Sequence, residues 1–142
     1  MFARKTFVSL AVCFLACLTL LLAACTDGQR MRDSLAELER MNSADSLMTN
    51  DSLALVLCDY FDSHGTPNER MRAHYILGRT YADLGDSPLA LEEYLTAATQ
   101  ADTSSTETNF SKLSRVYGQM SNIFYIQNLM NEYIEKQVTT QS

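Results

Sequence analysis

The sequence predicts an all-α protein of about six helices, stacked as antiparallel hairpins. Three observations carry that prediction. Apolar residues recur at spacings of three and four, and no segment shows β-branched alternation. Only two prolines and five glycines occur in 142 residues, and both prolines stand near a glycine at a joint between apolar-periodic segments. The joints are short, which favours antiparallel neighbours. Each amphipathic helix must bury its stripe, so successive hairpins are expected to stack.

The first 24 residues differ from the rest. Arg4 and Lys5 give a basic start, and Phe7 to Ala24 is apolar apart from Ser9 and Thr19. A basic start, an apolar run and a small-residue junction are the parts of an export signal. The junction Leu22-Ala23-Ala24-Cys25 resembles the lipobox of bacterial lipoproteins. That resemblance implies cleavage before Cys25, a thioether-linked diacylglycerol on its thiol and an N-acyl chain, enough for a stable membrane anchor. An uncleaved signal anchor and simple secretion are the competing readings, since an 18-residue run reaches the lower end of a membrane span. All three place the remaining chain outside the cytoplasm.

Residues 25–30 read as the lipidated cysteine and a polar tether, and 31–142 as the helical domain. The first helix is expected from about Met31 to Met48. A second, capped by Asp51-Ser52, carries Leu53, Leu55, Val56, Leu57, Tyr60 and Phe61. Gly65-Thr66-Pro67 separates it from a third, about Asn68 to Leu84. Gly85 turns the corner with positive φ, Ser87 caps and Pro88 enters the fourth helix, which runs to about Gln100. Residues 101–109 are a polar loop. A fifth helix is expected from about Ser111 to Ile126, a turn at Gln127-Asn128, and a short sixth from Leu129 to about Val138.

Leu77-Gly78, Tyr81, Gly85, Ala90, Tyr94 and Ala97 resemble the tetratricopeptide repeat, a helical hairpin of about 34 residues. Small residues at 78 and 90 suit close helix approach, and the tyrosines suit the space between hairpins. The best repeat spans 71–104, with His74 where the family usually has a large aromatic. A degenerate copy spans 114–138, where Tyr117, Met120-Ser121 and Phe124 match and Tyr133 replaces a small alanine. The layout also resembles exported tetratricopeptide proteins of the Bacteroidetes, through Ala44-Asp45-Ser46-Leu47-Met48 and Asp51-Ser52-Leu53-Ala54-Leu55.

In that family the first helix of each pair lines a concave face. The resemblance implies a peptide-binding face of Arg72, Tyr75 and Arg79, continued by Arg115, Asn122 and Tyr125. Arg72 and Arg79 stand two turns apart and suit an acidic peptide or a terminal carboxylate. The alternative is solvated arginines pairing with Glu69, Asp83 or Glu92.

Chemistry has little support in the sequence. Removing residues 1–24 leaves nine basic and seventeen acidic residues, a formal charge of −8, which argues against a nucleic-acid partner. Cys58 is expected as a buried inert thiol. His64 near Asp59 and Asp62 is a weak metal pattern, and Cys58 with His64 a weak nucleophile pattern. A hydrolase would need a pocket holding Cys58 or His74. The expectation is therefore a non-enzymatic, membrane-tethered scaffold of the cell envelope, facing periplasm or exterior, with no cofactor or metal. Its partner would be an unidentified protein or peptide. The alternative is the amino-terminal sensory or assembly portion of a larger regulatory protein.

Overall fold

The computed structural model describes residues 26–101 and 110–140. Cys25 and the signal residues before it lie outside the described residues, as do 102–109 of the polar loop. Among the described residues the chain is all-α and forms five successive helices, packed neighbour on neighbour in a helical-repeat arrangement. No helix among them is long and apolar enough to cross a membrane.

Helix α1 covers residues 26–43, so the stretch expected as a tether is helical from 26 onward. It ends five residues earlier than its apolar pattern suggested. Ala44 donates back to the Arg40 carbonyl, and Asp45 takes a left-handed φ of 53°. The chain then extends, and Met48 drops into the core at 3 % exposure with its N–H bonded to Asp83 Oδ2 at 2.9 Å.

Helix α2 (Asp51–His64) is capped by Asn50, one residue before the expected pair; its side chain accepts from Leu53 N. Ala54, Leu57, Cys58 and Phe61 form its buried stripe. Leu55 and Val56, apolar residues that the same helix carries, are exposed, because they project 100° and 200° around the helix from Ala54.

Helix α3 (Pro67–Asp83) begins with a capping box: Glu69 N–H donates to Thr66 Oγ1, and Thr66 N–H donates to the Glu69 carboxylate. It is the central element, packed against α2 on one side and α4 (Ser87–Gln100) on the other. This explains why Met71, Ala73, His74, Tyr75, Ile76, Leu77, Gly78 and Thr80 are all buried rather than one narrow stripe. Between them Gly85 turns the chain at φ +83°, and Asp86, not Ser87, caps α4 by accepting from Leu89 N.

The α3–α4 seam is tight. A Cβ at position 78 would lie 2.6 Å from Tyr94 Cδ1 and 3.2 Å from the Ala90 carbonyl oxygen. Ala90, Tyr94 and Ala97, the buried face of α4, are three of the positions that suggested the repeat.

Helix α5 (Phe110–Thr140) replaces the expected third hairpin. The turn at Gln127-Asn128 does not form, and the residues assigned to a degenerate repeat over 114–138 lie on one helix of 31 residues. The reason is local: after Gly118 no glycine or proline interrupts the helix-favouring sequence. Among its described side chains Val116 and Ile123 are buried, and the helix packs on α4; Phe124, Tyr125, Ile126, Leu129, Met130 and Ile134 are exposed.

Candidate functional site: a groove on the face of α1, α3 and α5

The odd-numbered helices share one face of the stack. Two adjoining depressions of about 330 and 250 Å³ open there, and both are lined by Asn42, Ser43, Tyr75 and Arg115. Ala36, Glu39, Arg40 and Lys112 complete the first; Arg79, Asp45 and Gln119 complete the second. Tyr75 forms the floor at 8 % exposure, its hydroxyl accepting from Asn42 Nδ2 at 3.4 Å.

Each expected face residue has a definite place. Tyr75, Arg79 and Arg115 come together in the groove. Arg72 stands beside it but is committed: Nε and Nη2 donate to the two oxygens of Glu39 at 2.9 and 2.6 Å. Arg79 pairs with Asp83 at 3.0 Å within its own helix. Glu69, considered as a partner for the arginines of α3, instead pairs with Arg32 at 2.6 Å. Arg115 is exposed and makes no ion pair among the described residues. Asn122 and Tyr125 are exposed on α5 and line neither depression.

Glu39 organises this face. It receives Arg72 from α3 and Lys112 of α5, whose Nζ lies 2.5 Å away. Burial alone would push its carboxyl up; the hydrogen bonds from Arg72 and Lys112 outweigh burial and hold it below the usual carboxylate range. The residue was not singled out from the sequence, yet a signal existed. Glu39–Arg72 and Asn42–Tyr75 are each 33 residues apart, and Met48–Asp83 is 35 apart. Residues one hairpin period upstream of Arg72 and Tyr75 are thus their partners across the stack.

A second convergence lies on the opposite side of α3. His74 is buried with both ring nitrogens held by carboxylates, Nδ1 to Glu93 at 2.7 Å and Nε2 to Asp62 at 3.0 Å. Cys58 lies beside them at 4 % exposure. Burial would lower the His74 pKa, but hydrogen bonding with Cys58, Glu93 and Asp62 raises it to about 11. Burial pushes the Cys58 thiol up. His64 takes no part: it stacks on Tyr60, centroids 4.8 Å apart. The weak pattern of His64 with Asp59 and Asp62 is thereby replaced by one centred on His74, which pairing across three helices concealed from the sequence.

No family model matches the chain, and no curated protein or solved structure matches it. The helical-repeat architecture stands on the packing itself.

Proposed function

We propose that this chain is a membrane-anchored, non-enzymatic protein-interaction scaffold of the bacterial cell envelope. Its repeat is of the tetratricopeptide type, as in exported proteins of the Bacteroidetes, and its anchor is a diacylglycerol on Cys25. The groove floored by Tyr75 and flanked by Arg79 and Arg115 carries the reading. A buried aromatic floor with two guanidinium groups at its edge suits an acidic peptide segment or a chain-terminal carboxylate, with charge-assisted bonds for orientation. The sequence around Cys25 supports the anchor: a basic start, an apolar run and small residues before the thiol.

Two measurements test the reading. The intact mass of protein extracted from membranes is expected to be that of a diacylglycerol-modified chain beginning at Cys25; an unmodified chain retaining Met1 rejects the anchor. Partners captured from detergent-solubilised envelopes are expected to fall away when Arg79 and Arg115 are both changed to Glu. Retention of every specific partner by that variant rejects the groove. Arg72→Glu is unsuitable for this test, because it breaks the pair with Glu39 and disturbs the fold as well as the surface.

A further inference from the structure

The cluster of buried Cys58 and His74 with half-buried Glu93 has a composition unlike the rest of the core. Each residue comes from a different helix, α2, α3 and α4, and one ligand atom of each lies within 4.8 Å of the others. A thiol, an imidazole and a carboxylate together are a donor set suited to a divalent transition cation of intermediate softness. The charges point the same way. Two carboxylates, Glu93 and Asp62, flank the imidazole of His74 beside an ionisable thiol, a surround that favours a cation.

We infer that Cys58 Sγ, His74 Nδ1 and Glu93 Oε2 form a zinc-binding site that ties α2, α3 and α4 together. Asp62 is the positioning residue. Its carboxylate lies 3.0 Å from His74 Nε2 and would hold the remaining ring proton there once Nδ1 is given to the metal. Such a carboxylate–histidine pair is the usual outer support of a metal-bound imidazole. The dimensions fit with small side-chain adjustments. Tetrahedral zinc, with Zn–S of ~2.3 Å and Zn–N or Zn–O of ~2.0 Å, sets neighbouring ligand atoms roughly 3.3–3.6 Å apart. His74 and Glu93 would open from 2.7 Å, with Cys58 already within 4.8 Å of both.

Charge and protons balance in the exchange. Zinc displaces one proton from the Cys58 thiol and one from His74 Nδ1, and both leave to solvent. The two positive charges lost are those that the ion brings, so the net charge of the pocket is unchanged. Entry is from the Asp62 side, where that side chain is 48 % exposed and Glu93 is 19 % exposed. Water from the same side fills the fourth position.

The test uses the full chain in detergent, purified without a metal-binding tag, titrated with Zn²⁺ against a competing chelator and separately with Co²⁺. One zinc per chain and a thiolate-to-cobalt charge-transfer band are expected, together with a zinc-dependent rise in melting temperature. Cys58→Ser is expected to abolish the cobalt band and weaken zinc binding by about 100-fold or more, and Asp62→Asn to weaken it by ~10-fold. Cys58→Ser replaces one buried small side chain with another, and its helical content by circular dichroism verifies the fold. Absence of stoichiometric zinc binding by the folded wild-type chain overturns the inference. So does zinc affinity or a cobalt band that survives in folded Cys58→Ser.

Discussion

Gly78 on α3 lies directly against the ring of Tyr94 on α4, with space for a hydrogen but not for a methyl group. Tyr94 is wholly buried there, and its ring also sits 5.9 Å from that of Tyr75, the floor of the groove. The width of the α3–α4 seam and the position of the groove floor are therefore set by one contact.

Gly78→Ala is expected to destabilise the protein despite alanine's better helix propensity. The added methyl group must displace a ring or a backbone carbonyl, which costs about 1–3 kcal/mol, against a propensity gain of ~1 kcal/mol. Gly118→Ala provides the contrast. A Cβ there meets nothing within 4 Å, so only the propensity gain of ~0.5–1 kcal/mol operates. Urea unfolding of the two variants is expected to shift the midpoint in opposite directions. Equal shifts would contradict the tight seam.

Tyr94→Phe is expected to stabilise the fold. The Tyr94 hydroxyl is buried without a hydrogen-bond partner among the described residues, and burial holds its pKa up. Removing an unsatisfied buried hydroxyl while keeping the ring recovers about 1 kcal/mol. Thermal unfolding checks this; a lowered melting temperature would mean that the hydroxyl is satisfied after all.

Glu39 predicts a specific loss of stability in acid. Its folded-state pKa is depressed below the ordinary value of 4.5, so its contribution is complete above that pH and disappears as pH falls through the lower folded value. Glu39→Gln is expected to cost about 1–2 kcal/mol at neutral pH, by leaving Arg72 and Lys112 without their shared carboxylate. The variant and wild type are expected to converge in stability as pH falls through the depressed folded-state value of Glu39, with the wild type supplying the steeper slope. Parallel pH profiles would show that Glu39 carries no such coupling.

The parts legible from sequence were those that a single residue type decides. Gly78, Ala90 and Ala97 mark a close seam because only small side chains fit it, and Gly85 marks a left-handed turn because few other residues adopt that φ readily. Where the decision was shared, the reading slipped. Leu55 and Val56 are apolar but off the stripe that α2 turns toward α3, a matter of orientation rather than composition. Gln127-Asn128 resembles a joint by polarity, yet without glycine or proline the helix continues. Tyr75 and Arg79 on α3 are singled out by the repeat resemblance, whereas Glu39 and Asn42 enter from a hairpin earlier and become visible only when the stack brings positions 33 apart together. Cys58, His74 and Glu93 are scattered over three helices and carry no motif in sequence order.

Asp83 gives the groove a connection to a distant part of the chain. One of its oxygens holds Arg79 at the groove, and the other holds the backbone of Met48 between α1 and α2. A carboxylate ligand that draws Arg79 outward competes with Asp83 for the same guanidinium. If the proposed ligand occupies the groove, the anchoring of Met48 between α1 and α2 is expected to change with it. By reciprocity, whatever steadies the α1–α2 crossing also tunes how readily Arg79 is released. Asp83 thus spends one carboxylate on two tasks, holding a groove arginine and pinning the chain between α1 and α2.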